Sequence, residues 1–240
     1  MKISQKSILH LKHIALQRNI LEIKIMKIEI WSDIMCPFCY IGKRHIEMAI
    51  ENMNMINAVE IEWKSYQLDP SIPVQTKRIG VYEYLSEAKG ISLEQSKSMH
   101  ERVVDMAENA GLKYNFDRAI VGNSFNAHRL IQLAKIKGLG NEMEEELFNA
   151  YFTSGKDIAS EDDLLEIGKI VGLKEDELKE LLNSDSYSAE VKNDINEAQQ
   201  IGVRGVPFFV FDRKYALSGS QSVEAFMETM KTVLEESPNY

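Results

Sequence analysis

Lys27-Ile28-Glu29-Ile30-Trp31-Ser32-Asp33-Ile34-Met35-Cys36-Pro37-Phe38-Cys39-Tyr40 is the stretch on which the fold turns. Ile28 and Ile30 alternate with Glu29 and Trp31, the period of a short β-strand, which ends near Asp33. After the cysteines, Ile41, His45, Met48, Ala49 and Asn52 recur at helical spacing, and no Pro or Gly interrupts them after Gly42. Pro37 suits a first helical turn, where its missing N–H would be unpaired anyway. The spacing therefore predicts a strand, then Cys36 at a helix start, then Cys39 one turn inside. A second strand is expected at Val59 to Tyr66, where Val59, Ile61 and Trp63 alternate with Glu60, Glu62 and Lys64.

Two thiols so placed can close a small disulfide with little backbone movement. The helix dipole and the unpaired N–H groups at that end favour an anion on Cys36, and a thiolate is the species that attacks disulfides. Cys39 is expected to be more deeply buried and to act as the resolving thiol. These are the only cysteines of the 240-residue chain. Their number excludes a multi-disulfide framework and a four-thiolate zinc site within one chain. A zinc site completed by His45 or His128 is the competing reading, but no second CxxC or spaced His pair supports it. No metal is expected.

Working outward, Gln67-Leu68-Asp69-Pro70 and Pro73 break regular structure, and the next stretch reads as helix almost throughout. Ser92 with Gln95 predicts a capping box, and Gly111 a stop. Ser124 opens a helix with Ala127, Leu130, Ile131 and Ala134 on one stripe, stopped by Gly138. Asn141 with Glu144 starts another, buried through Leu147, Phe148, Tyr151 and Phe152. Ser160 with Asp163 is a weaker start, ending at Gly172, and helical patterns come next near 178–182 and 187–201. Strand character returns with Pro207-Phe208-Phe209-Val210-Phe211, a continuous apolar run. Tyr215-Ala216-Leu217 can pair back on it, and a last helix spans about 222–235. The order is β-α-β, helices, β-β-α: an α/β sheet domain (26–74 and 194–236) split by an inserted helical domain (75–193).

The net charge is −9, so nucleic acid, which needs a surplus of Lys and Arg, is not an expected partner. Residues 1–25 differ: Lys2, Lys6, Lys12, Arg18 and Lys24 face only Glu22, leaving −13 for the remainder. The longest aliphatic run there, Ile14-Ala15-Leu16, is far short of the roughly 7–15 residues of a secretory h-region. These residues are read as an extension outside the fold. No membrane span is expected, and the location expected is cytoplasmic.

Gly202-Val203-Arg204-Gly205-Val206-Pro207 precedes the returning strand, where a proline is tolerated and a cis Val206–Pro207 bond would turn an unpaired backbone edge to the dithiol. In combination, the strand-Cys-Pro-Phe-Cys-helix opening, this Gly-Val-Pro and the helical insert resemble the DsbA-type thioredoxin superfamily. Trp31-Ser32-Asp33, Tyr40-Ile41-Gly42-Lys43, Asn123-Ser124, Ala127-His128-Arg129-Leu130 and Ser218-Gly219-Ser220-Gln221 look most like its FrnE-like dithiol-disulfide isomerase branch. The resemblance covers about 26–235. It implies a thioredoxin fold with Cys36 as exposed nucleophile, Cys39 as its resolving partner and Pro207 as a cis-proline beside them. Pro37, Phe38, Val206, Asn123, Ser124 and His128 are the expected substrate-contacting residues, with His128 equally readable as a border residue of its apolar stripe.

The expected activity is thiol-disulfide exchange with protein or small-molecule substrates, without a required cofactor and with glutathione as a candidate redox partner. Two other classes stay open at this point. One is glutathione-dependent chemistry of the chromene-carboxylate isomerase and kappa-class transferase type, against which the intact CxxC argues. The other is a non-enzymatic chaperone using an apolar groove.

Overall fold

A computed structural model of the chain describes residues 25–73 and 78–236. The expectation for the N-terminal extension falls outside the described residues, except for the exposed Ile25. Met26 opens strand β1 (Met26–Ser32), which is followed by α1 (Pro37–Asn52) and β2 (Val59–Ser65). β5 (Phe208–Phe211), β6 (Tyr215–Ser218) and α9 (Val223–Glu236) complete this part at the other end of the chain.

The sheet order is β2-β1-β5-β6. β1 runs parallel to β2, with Ile30 opposite Trp63, and antiparallel to β5, with Ile30 opposite Phe209. β5 and β6 pair antiparallel, Phe209 opposite Leu217. The strand that carries the chain into Cys36 is therefore central and covered on both faces. Ile28 and Ile30 join the main core with Phe209, Phe226 and Met230. Trp31, on the other face, is fully buried against Ala198 and Val203, and its indole N–H donates to the Asp194 carbonyl at 3.0 Å. Glu29, also buried, is held by Arg213, which reaches Glu197 as well.

Between β2 and β5 lie α2 (Val81–Lys89), α3 (Leu93–Asn109), α4 (Phe125–Ile136), α5 (Gly140–Phe148), α6 (Glu161–Val171), α7 (Glu175–Leu182) and α8 (Ser188–Gln200). The expected boundary between 193 and 194 falls inside α8. Strands β3 (Ile79–Gly80) and β4 (Ile120–Val121) form a separate two-residue ladder in a block read as helical. A π-helical segment, Asn149–Ser154, continues α5 and buries Tyr151 and Phe152.

The Ser92–Gln95 capping box forms in both directions, and Ser160 caps α6. Two other helix starts differ from expectation. Ser124 sits at the N-cap of α4, but its hydroxyl makes no capping bond; the neighbouring Asn123 Oδ1 accepts from the Phe125 N–H instead. α5 begins at Gly140 rather than through an Asn141–Glu144 box. Asn141 accepts from the Trp63 indole and Glu144 from the Ser32 hydroxyl, so tertiary contacts have claimed both side chains.

Candidate active site

Cys36 stands at the N-cap of α1 in extended backbone conformation, with Pro37 in the first turn. The turn is closed by the Cys36 N–H on the Asp33 carbonyl (2.9 Å) and the Cys39 N–H on the Cys36 carbonyl (3.0 Å). Both thiols are free, and both are shielded, with 3% and 1% of their surface exposed. The Cys36 thiol donates to the Val206 carbonyl at 3.4 Å. The Val206–Pro207 bond is cis, as the resemblance implied. Burial pushes the Cys39 thiol well above its ordinary pKa, and the adjoining Cys36 sulfur adds to this. Hydrogen bonds from the Asp33 backbone and the Ser32 hydroxyl act the other way.

Gly42 lets α1 pass close to this junction. A Cβ there would lie 3.1 Å from Phe209 Cζ and 3.2 Å from Pro207 Cγ, on the buried side of the helix. Gly42→Val is therefore expected to cost about 1–3 kcal/mol through overpacking and to press Pro207 away from the dithiol. Urea denaturation together with the rate of disulfide exchange checks it; a variant unchanged in both would show that the junction has slack.

The helical insert supplies the opposite wall. The Tyr114 hydroxyl donates to the Pro37 carbonyl at 2.7 Å, and its ring stacks on Phe152 at 4.6 Å. A cavity of about 440 Å³ opens beside Cys36, Pro37, Phe38 and Val206, faced by Val81, Leu85, Val103, Phe116 and Phe152. Its lining is mostly apolar, with Tyr84, His100 and Lys89 as polar members. Phe38 is the most exposed side chain of the Cys36–Cys39 turn.

Asn123, Ser124 and His128 do not line this cavity. All three are buried. Asn123 donates to the Ile72 carbonyl at 2.6 Å and accepts from Gln67, tying down the loop after β2. His128 Nε2 lies 3.5 Å from Asp33 Oδ1, an ion-pair distance too long for a well-made hydrogen bond. Burial disfavours the charged imidazole, but the Asp33 carboxylate, with Glu144 and the Tyr66 backbone, outweighs it and raises the His128 pKa.

A polar layer thus lies beneath the dithiol, and its member from the start of α5, Glu144, carries no mark of that place in the sequence. Asp33 Oδ1 accepts from the Met35 N–H and Oδ2 from the Leu68 N–H at 2.7 Å. Ser32 Oγ donates to Glu144 Oε1 at 2.7 Å. Burial raises the Glu144 carboxyl to about 7, although Ser32, His128 and Lys43 draw it down. Ser32 and Glu144 are 112 residues apart, and the Trp31-Ser32-Asp33 motif marks only the first of them. Among the described residues no group of three His, Cys, Asp or Glu side chains could hold a metal ion, and no helix is long and apolar enough to cross a membrane.

Residues 27–231 match the family described as the DSBA-like thioredoxin domain. The chain belongs to that family. A probable DsbA oxidoreductase from Streptomyces coelicolor superposes on this DSBA-like chain with a TM-score of 0.84 at 33% identity, covering 88% of this chain and 91% of that one. YwbO, an uncharacterized protein of Bacillus subtilis (strain 168), is 27% identical over 193 residues, 76% of this chain and 85% of its own. The cytosolic disulfide reductase DsbM from Pseudomonas aeruginosa shares the DSBA-like fold, with a TM-score of 0.61 at 16% identity, over 87% of this chain and 98% of its own. The sheet order, the split by helices and the cis Val206–Pro207 bond are those expected of a thioredoxin fold with a helical insertion.

Proposed function

We propose that this chain is a thiol-disulfide oxidoreductase working through Cys36 and Cys39, and that its finer type is the FrnE-like dithiol-disulfide oxidoreductase/isomerase. The observation that carries the reading is Cys36 at a helix N-cap, its Sγ on the Val206 carbonyl, with Cys39 one turn inside. Membership of the DSBA-like family and the likeness to the Streptomyces oxidoreductase support it.

In this reading Cys36 Sγ attacks one sulfur of a substrate disulfide, and the other sulfur leaves as a thiolate. Cys39 then loses its proton and attacks Cys36 Sγ, and the second substrate thiolate departs. The substrate gains two electrons and the dithiol becomes a disulfide; the reverse sequence oxidises a substrate dithiol. Val206 and Pro207 offer backbone beside Cys36, and Pro37 and Phe38 border the entrance to the cavity. Asn123, Ser124 and His128 support this surface from below. No cofactor is required. Glutathione is a candidate reductant, an idea supported by DsbM having been solved with it. The cytosolic setting of DsbM also supports a cytoplasmic location.

The test is the mass and thiol content of the chain after exposure to a disulfide. Closure of Cys36 on Cys39 removes two hydrogens and abolishes alkylation at both sulfurs. A chain that keeps two alkylatable thiols under denaturing conditions would sink the reading.

A further inference from the structure

Resolution of a mixed disulfide at Cys36 needs Cys39 as a thiolate, yet burial holds that thiol strongly protonated. Solvent cannot take the proton directly, because Cys39 is 1% exposed. Some group inside the protein must accept it. The carboxylate nearest in sequence, Asp33, is poorly placed for this. Its oxygens accept from the Met35 and Leu68 N–H groups, and it reaches Cys39 through its backbone.

Besides Cys36, the side chain whose hydrogen bonding acts on the Cys39 thiol is Ser32, and its hydroxyl is bonded onward to Glu144 Oε1 at 2.7 Å. Glu144 is 1% exposed and comes from α5 of the insert, not from the sheet. The geometry points to Glu144, acting through Ser32, as the proton acceptor that frees Cys39 for the resolving step. This rests on the dithiol reading and adds to it the group that makes the second half of the exchange possible.

The transfer balances. The Cys39 S–H gives its proton to Ser32 Oγ while the Ser32 O–H proton passes to Glu144 Oε1. The Cys39 sulfur bonds to Cys36 Sγ, and the Cys36–substrate bond breaks with its electron pair on the departing thiolate. The oxidised enzyme is left with neutral Glu144. When an external thiol reopens the Cys36–Cys39 disulfide, the same hydroxyl turns about. Glu144 then protonates Ser32 as Ser32 protonates the Cys39 sulfur. Glu144 suits both directions, since burial sets it to titrate at about 7. The charged groups facing it are His128 on α4, Lys43 on α1 and Asp33 beyond β1. The Lys43 charge is already engaged by Glu47 and Glu145, at 2.5 and 2.7 Å.

The experiment is a stopped-flow reaction of the reduced chain with one equivalent of dithiobis-nitrobenzoate, whose two aromatic thiolates are coloured. The first thiolate leaves in a second-order phase as Cys36 is attacked. The second leaves in a first-order phase as Cys39 resolves the adduct. In the wild-type chain the second-phase rate is expected to climb with pH and level off above about 7, where Glu144 is ionised. Glu144→Gln should slow the second phase relative to the first by about 10²- to 10⁴-fold, the usual contribution of a general base. It should also abolish the levelling, because only hydroxide then removes the proton. Ser32→Ala, which leaves the carboxyl in place, should do the same. A second phase that still levels near pH 7 in either variant, slowed or not, overturns the proposal. Loss of the first phase in the wild-type chain would instead refute the dithiol reading itself.

Discussion

Cys36→Ala is expected to bring insulin-disulfide reduction down to the rate measured without protein. The remaining thiol, Cys39, is buried beneath Cys36 and held protonated by that burial, and the thiolate, not the thiol, is the attacking form. The geometry leaves no route by which it meets a protein disulfide directly. Cys39→Ala behaves differently. Cys36 still attacks, but nothing inside the chain resolves the product, so a mixed disulfide accumulates and is seen as added mass. The contrast separates the two sulfurs: one variant makes no adduct, the other makes one that persists. Turnover retained by Cys36→Ala would remove Cys36 as the nucleophile.

The largest effect on stability is expected for Trp31→Ala. The indole is fully buried between the sheet and α8, lies edge-on to Phe208 with ring centroids 6.4 Å apart, and ties its N–H to the Asp194 carbonyl. Truncating a buried Trp to Ala costs about 3–5 kcal/mol. The Asp194 carbonyl also loses its donor, a loss of roughly 1 kcal/mol. For a chain of this size that corresponds to a fall in melting temperature of about 10–20 °C. The loss extends past the cavity itself, because Asp194 also receives the Ser65 N–H and the Gln132 side chain, and so joins α8 to β2 and α4. Urea unfolding followed by far-UV circular dichroism checks this. A loss below about 1 kcal/mol, the scale of a single neutral hydrogen bond, would show that α8 is held by other contacts.

The part of the fold nearest the dithiol was legible because its determinants are local. Alternation over β1, a proline in the first turn of α1 and helical spacing after it are read from a few neighbouring residues. The returning strand at Phe208–Phe211 was legible for the same reason, as an unbroken apolar run between a proline and a turn. Segments too short to show a period were not. β3 and β4 are two residues each, and the π-helical segment at Asn149–Ser154 looks like a continuing helix in sequence. Asn141 and Glu144 have the spacing of a capping box, but partners far away in the chain compete for their side chains and win.

The candidate site divides along the same line. Cys36, Cys39, Val206 and Pro207 were identified from motifs, and the structure brings all four together. Tyr114, Glu144 and the aromatic wall of the insert were not identified. Tyr114 and Glu144 reach the dithiol through contacts 77 or more residues away along the chain, and no local pattern encodes such a meeting.

The Cys36–Val206 contact spans 170 residues, and this has a consequence during synthesis. A ribosome adding roughly 5–20 residues per second needs on the order of ten to thirty seconds between the two positions. Throughout that interval the nascent chain carries both thiols without the loop that will cover them. The loop that covers them is made only when about one seventh of the polypeptide remains. In the finished protein both sulfurs are shielded, so their protection is acquired late in synthesis.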